Sequence, residues 1–315
     1  MLPTALSLLF ALSLMMLTPT PAHAEKFAGE FFNLGVGARA LALGGAVAAG
    51  PFDATAAYWN PAGMNFLPKR SLAAMHSETF GSLLNQEFAA YVAPRKGNGF
   101  IRSVGVYGYY LGDNGIKLTT LDGSGRAVVT GEVSHGDFVL GLSAGAHKGR
   151  FDFGVTLRPV YRDLGVRNGY GGSIDLGVIY QHDSHLRLAL SMRDITSGFI
   201  SYSDGPTETI NPTVTPGLMY VRSFDEFTFR LLASGDVRFE NRGASAQYDS
   251  GDLSIDTHYG FETAYRDLLF GRVGLDIGDV TVGAGLAADS FVFDFALLFH
   301  ESLDNSYRIS AGWTF

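Results

Sequence analysis

Ser306-Tyr307-Arg308-Ile309-Ser310-Ala311-Gly312-Trp313-Thr314-Phe315 alternates without a break. Tyr307, Ile309, Ala311, Trp313 and Phe315 share one face, and polar residues or glycine occupy the other. Period two at this length is a β-strand, and about 9 to 11 tilted residues cross the hydrocarbon layer of a membrane. Apolar outside, polar inside and closed by a terminal aromatic, the segment reads as the last strand of an outer-membrane barrel. Phe315 and its strand are expected to be what the barrel assembly machinery engages.

Working back from it, strand-like runs fall at 69–77, 85–95, 100–112, 136–147, 150–163, 172–181, 185–194, 213–222, 226–240, 253–265, 268–277, 279–288, 290–301 and 306–315. These are fourteen, an even number as a single-chain bacterial barrel requires. Phe227, Phe229, Leu231, Ala233, Val237 and Phe239 would face lipid, with Thr228, Arg230, Ser234, Asp236, Arg238 and Glu240 facing the lumen. A one-residue slip would put those charges into hydrocarbon, so the register is strongly specified. Phe291, Phe293, Phe295, Leu297 and Phe299 oppose Asp294 and His300 in the same manner.

Connections alternate in length. Tight turns are expected at 95–99, 148–149, 182–184, 223–225, 266–267 and 289, on the periplasmic side. Long Gly-, Ser- and Asp-rich loops are expected outside at 113–135, 195–212 and 241–252, with one tight outer turn at Gly278-Asp279. Elsewhere no apolar run is long enough for a spanning helix, so any crossing uses strands.

The first 24 residues carry no charged side chain, run apolar from Ala5 to Leu17 and end Ala22-His23-Ala24. This has the form of a signal-peptidase site, with cleavage between Ala24 and Glu25; the missing basic n-region leaves a retained anchor as the alternative. The division is therefore a signal peptide at 1–24, a hatch or plug at 25–68, and an outer-membrane barrel of a diderm bacterium at 69–315. The segment 25–68 is too small for a core of its own and is expected inside the barrel.

Composition excludes several classes. Cysteine is absent, which rules out a disulfide framework and thiolate metal sites. A net charge of −8 without a basic tract argues against nucleic acid. The 40 glycines, well above the typical share of about 7%, suit turns and a crowded lumen. The histidines have no metal-ligand spacing, no nucleophile motif is present, and Gly35-x-Gly37 lacks the context of a phosphate loop. No cofactor, metal or enzymatic activity is expected.

Inward charges of both signs recur: Arg158, Arg230, Asp236, Arg238, Glu262, Arg272, Asp294 and Arg308. They are expected to form a salt-bridge ladder that fills the lumen and anchors the plug; an arginine selectivity filter is the alternative.

Two stretches carry a resemblance: Gly37 to Ala46, reading Gly-Ala-Arg-Ala-Leu-Ala-Leu-Gly-Gly-Ala, and Asp53 to Gly63, reading Asp-Ala-Thr-Ala-Ala-Tyr-Trp-Asn-Pro-Ala-Gly. With the late hairpins around Gly260-Phe261-Glu262 and Asp294-Phe295-Ala296, they resemble the PorV/PorQ branch of the FadL-type outer-membrane transporter superfamily. The resemblance implies an all-β, 14-stranded barrel with an N-terminal hatch, and passive passage of hydrophobic molecules. For PorV-like members it implies instead a type IX secretion component that receives exported cargo proteins. A purely structural barrel is a third class.

The expected partners are outer-membrane lipid and a hydrophobic small molecule or an exported cargo protein. Gating is assigned to Gly37, Arg39, Asp53, Trp59, Asn60, Pro61 and Ala62. First contact with substrate is assigned to the apolar loop residues Phe80, Leu83, Leu84, Phe199 and Ile200.

Overall fold

The computed structural model describes residues 33–79, 84–97, 99–205, 207–300 and 305–315. The signal peptide expected at 1–24, Phe80 and Leu83 lie outside the described residues. Among the described residues no helix is long and apolar enough to cross a membrane.

The strands are β1 (Ser71–Thr79), β2 (Leu84–Pro94), β3 (Ile101–Leu121), β4 (Ala127–Lys148), β5 (Phe151–Asp163), β6 (Asn168–Gln181), β7 (Leu186–Arg193), β8 (Gly198–Tyr202), β9 (Thr207–Ile210), β10 (Thr213–Phe224), β11 (Phe227–Arg238), β12 (Tyr248–Asp249), β13 (Ser254–Tyr265), β14 (Leu269–Asp276), β15 (Asp279–Ala288), β16 (Phe291–Leu298) and β17 (Ser306–Thr314). All belong to one antiparallel sheet. β8, β9 and β12 are rim pieces, and the other fourteen form the barrel. Closure is the pairing of first strand with last, from Ser71 opposite Thr314 to Glu78 opposite Tyr307.

Closure follows from the solvent. A sheet edge in hydrocarbon leaves peptide groups without partners, and a closed barrel has no edge. Alternation then assigns the faces. On β5, Phe151, Phe153, Val155 and Leu157 are exposed while Asp152, Thr156 and Arg158 are buried in the lumen. On β17, Tyr307, Ile309 and Trp313 face out while Arg308 is buried. The short turns use left-handed backbone at Asp225, Arg266, Asp267, Ile277, Gly278 and Asp289. That twist matches tightly turned hairpins.

The long rim departs from the sequence reading in three places. The loop expected at 113–135 is instead a β-ribbon, because β3 and β4 stay paired up to Leu121 opposite Ala127. Two register shifts, between Asp113 and Ile116 and between Leu118 and Thr119, absorb its glycines and re-aim its side chains. At its tip the Asp122 carboxylate accepts from Ser124 Oγ, Ser124 N and Arg126 N at 2.7 to 2.9 Å. Those bonds, the Ser124 hydroxyl foremost, hold its pKa below the usual value.

The loop expected at 195–212 contains the β8–β9 hairpin, which pairs with β6 between Gly169 and Gly172 and extends the wall past the end of β7. The loop expected at 241–252 carries a short 3-10 turn, Gly243–Ser245, and β12.

Leu231 lies on the outward face of β11, whereas Leu121 sits at the ribbon tip with 70% exposure. An arginine at the mid-bilayer level of a barrel costs about 2–4 kcal/mol, falling toward zero near the interface. Leu231→Arg should lower the unfolding free energy in lipid vesicles by about that amount, and Leu121→Arg should leave it within about 0.5 kcal/mol. Equal effects in urea titrations would refute this assignment of faces and levels.

Candidate functional site

Residues 34–68 pack against the inner wall. Their regular pieces are short: α1 (Ala38–Ala42), α2 (Ala56–Trp59) and a 3-10 helix, Pro61–Phe66. Alanine and glycine suit that place, since a chain inside a barrel must let its backbone approach the wall. The wall reciprocates with eight lumen-facing glycines on eight strands. Gly105 meets Met64 and Ala57, Gly145 meets Asn65, and Gly154 meets Pro61 and Ala62. Gly177 meets Asn60 and Ala62, Gly217 meets Ala48, and Gly260, Gly274 and Gly283 meet Leu43, Gly44 and Ala42. A Cβ at most of these positions would collide with hatch atoms, so much of the glycine surplus forms the seat of the hatch.

Wall side chains satisfy the hatch backbone. Gln86 Nε2 donates to Gly35 O at 2.6 Å, Ser191 Oγ to Trp59 O at 2.9 Å, and Thr281 Oγ1 to Ala42 O at 3.2 Å. Ala38 N donates to Ser310 Oγ at 3.2 Å, and in the reverse sense the hatch side chain Asn65 donates through Nδ2 to Ala146 O of β4 at 2.8 Å. Buried peptide groups outside regular structure need such partners.

The turn motif has its own geometry. Asn60 is fully buried; its Nδ2 donates to Ala48 O at 2.8 Å and its Oδ1 accepts from Ala62 N at 3.1 Å. Pro61 then opens the 3-10 helix at a position where no N–H is required. Trp59 Nε1 donates to Val36 O at 2.9 Å and ties α2 to the irregular segment leading into α1. Gly37 has φ of 82°, which favours glycine, and its N–H reaches Met75 Sδ at 3.0 Å. Asp53 accepts from Thr55 N and Oγ1 at 2.7 and 2.6 Å, so it fixes the turn into α2 locally.

Arg39 joins the hatch to the charged side of the lumen. Its Nε and Nη2 reach Glu262 Oε2 and Oε1 at 2.9 and 2.8 Å, a bidentate pair. The same carboxylate accepts from Arg230 and Arg272, each at 2.7 Å, and Arg272 continues to Asp294 at 2.6 Å. Glu262 has no exposed side-chain surface, so three guanidinium groups replace its water.

A second network runs from Arg193 to Asp236 at 3.1 Å, through Arg238 to Asp256, and on to Arg242. In a third, Arg158 meets Asp175 and Asp194. Arg308 stands apart: among the described residues it meets the Ser77 hydroxyl and Tyr307 O, and no carboxylate. The eight inward charges of the sequence reading thus divide into three networks and one isolated arginine.

Asp194 and Arg242, which complete two of these networks, went unnoticed in the sequence: alternation along the run 185–194 puts Asp194 on the face opposite Arg193, whereas β7 ends at Arg193, and Arg242 belongs to the loop expected at 241–252. The first-contact residues fare differently. Ile200 is fully buried, facing inward from β8, and presents no surface for a first contact from outside. Phe199 is half exposed on the outer face, and Leu84 is half-buried at the start of β2, packed against the interior cluster.

Between the ionic networks lies an apolar patch on the inner faces of β1 to β3, reaching single residues of β4 and β5. Met75, Phe88, Val92, Tyr107, Tyr109, Leu111, Val139 and Val160 form one buried cluster with Ile200, Tyr202 and Ile210. Tyr58 of the hatch enters it, its ring 6.1, 5.9 and 6.5 Å from those of Phe88, Tyr107 and Tyr109. Among the described residues no group of acidic or histidine side chains has the geometry of a metal site.

The chain matches none of the known protein families compared with it, and no curated protein matches it in sequence. Solved structures do match in fold. CymD, a monoaromatic hydrocarbon channel, aligns with a TM-score of 0.56 at 12% identity over 90% of this chain and 98% of that one. The toluene transporter TodX of Pseudomonas putida aligns at 0.51 and 13% identity, covering 88% and 96%. A Pseudomonas aeruginosa FadL homologue aligns at 0.50 and 10% identity, covering 85% and 95%. The fold is that of FadL-type barrels.

Removing the carboxylate would leave Arg39, Arg230 and Arg272 facing one another. Glu262→Ala should lower the unfolding free energy by about 3–5 kcal/mol. With Trp313→Phe as background, Trp59 alone reports the hatch, since the chain has two tryptophans. An unchanged urea midpoint of Trp59 fluorescence in micelles would rule out the latch.

Proposed function

We propose that this protein is an outer-membrane channel for passive passage of small hydrophobic molecules, with the hatch at 34–68 as its gate. One observation carries the reading: an apolar and aromatic patch of the lumen wall on β1 to β3, reaching Val139 of β4 and Val160 of β5, where a pore for hydrophilic solutes is polar. An apolar solute gains by leaving water for such a wall, at about 25 cal/mol per Å² of its surface covered. The ionic wall serves another end, holding Arg39 and with it the hatch.

The structures of similar fold named as a monoaromatic hydrocarbon channel and a toluene transporter support this substrate class. In this reading Gly37, Trp59, Asn60, Pro61 and Ala62 give the hatch its shape, Arg39 latches it, and Asp53 sets the turn between its halves. Opening withdraws Tyr58 from the apolar cluster and exposes a path along that patch of β1 to β3. The first contact shifts from Ile200 to the β3–β4 ribbon, whose Ile116, Leu118, Val128 and Val129 are exposed beyond the wall.

A narrower assignment to the PorV/PorQ branch rests on the stretches 37–46 and 53–63, as does the second reading, delivery of exported cargo proteins. Detergent pull-down of a large exported protein in place of an apolar small molecule would favour that second reading.

Ala57 Cβ lies 3.4 Å from where a Cβ on Gly105 would stand, close to the 3.5–4.5 Å of a disulfide, and the chain has no other cysteine. The Ala57→Cys, Gly105→Cys variant therefore bolts α2 to β3. Oxidised in proteoliposomes, it should cut toluene flux about tenfold, a barrier rise of about 1.4 kcal/mol, and a reductant should restore it. Equal flux in both redox states would eliminate the hatch as a gate.

A further inference from the structure

A crevice of about 970 Å³ lies on the bilayer-facing wall. Register explains it. Ala311, Ala74, Ala89 and Gly108 are successive partners along one rung of β17, β1, β2 and β3, all facing out. A side chain built on Gly108 would meet nothing within 4 Å. The next rung toward the long rim carries Ile309, His76, Glu87, Tyr110 and Phe138. The small residues are thus a floor, and the bulky ones a wall beside it.

That wall holds an unusual pair. His76 Nδ1 and Glu87 Oε1 are 2.6 Å apart, with side chains 54% and 52% exposed. Both belong to the outward face, where β17 and β3 carry apolar or aromatic residues at the same rung, Ile309 and Tyr110. Ionisable groups in contact with hydrocarbon are costly and call for a polar partner. His76 Nε2 and Glu87 Oε2 have no partner among the described residues, which leaves one donor or acceptor nitrogen and one acceptor oxygen side by side.

We infer that the crevice is a binding site for a zwitterionic phospholipid, its headgroup on His76 and Glu87 and an acyl chain along Ala74, Ala89 and Gly108. Charge complementarity selects the occupant. In its protonated form the imidazole donates Nδ1–H to Glu87 and offers Nε2–H to the phosphate, and the carboxylate accepts from the ammonium of an ethanolamine head. Polarity gives the orientation: the pair lies on the long-rim side of the floor, so the head points to that rim and the chain toward the short-turn rim. The volume suits a ligand of this size. A second copy of the barrel is a poorer occupant, because two concave faces brought together enclose empty space. The inference is independent of what passes through the lumen.

Delipidated, refolded barrel would be offered equal palmitoyl-oleoyl phosphatidylethanolamine and phosphatidylglycerol, and retained lipid measured by native mass spectrometry. Wild type should keep one phosphatidylethanolamine with about fivefold preference, and Ala89→Leu with Gly108→Leu should reduce retention about tenfold. Glu87→Lys should reverse the head preference while leaving the floor intact, and the gel shift on boiling verifies folding of each variant. Equal retention by the filled variant, absence of head preference in wild type, or cross-linking of two barrels through Ala89→Cys would overturn the site. None of these readouts measures toluene flux, so the channel reading stands or falls separately.

Discussion

Everything in this molecule depends on the seam where β1 meets β17. Hydrocarbon offers nothing to a peptide N–H or C=O, so the first strand must find the last, and the chain must supply enough strands for the sheet to curl round. Once closed, the barrel has two sides with opposite solvents. One accepts phenylalanine, leucine and tryptophan; the other must accommodate arginine, aspartate and glutamate in a space too narrow for bulk water. Most of the interior charges neutralise one another, Arg308 standing apart, and the peptide that fills the space is rich in alanine and glycine.

That division explains how much could be read from the sequence. Alternation of Phe227 to Phe239 against Arg230, Asp236 and Arg238, or of Phe291 to Phe299 against Asp294, has one physical cause and survives without structural context. The extent of the β3–β4 ribbon was not legible. Its residues 113–135 are rich in glycine and polar groups, and their strand character comes from pairing across a hairpin with register shifts that no period reveals. The seat of the hatch was visible only as a glycine surplus, because the match of Gly154 with Pro61 or of Gly283 with Ala42 is a contact between distant parts of the chain. Arg39 and Glu262 were each singled out in the sequence, yet the bond between them depends on how α1 lies in the lumen.

The lumen has two characters. Around β11 to β16, and again at Arg158 and Asp175 of β5 and β6, it is ionic, and Glu262 grips Arg39; on β1 to β3 an apolar patch receives Tyr58. A hatch held by charge on one side and by aromatic rings on the other is firm while dry, and its apolar contacts are those an apolar solute would compete for. This is why the proposed passage follows the aromatic side, leaving the ion pairs as the hinge side of the gate. The bilayer-facing wall shows the same economy, with small residues and one polar pair marking where a lipid replaces side chains.

The most direct test of a closed ionic lumen with an apolar route beside it is to record ion conductance and hydrocarbon flux on the same protein in the same planar bilayer. The account requires toluene to cross while steady ion current stays at the level of the bare membrane. A steady, ohmic current of porin type, with no added toluene flux, would contradict it.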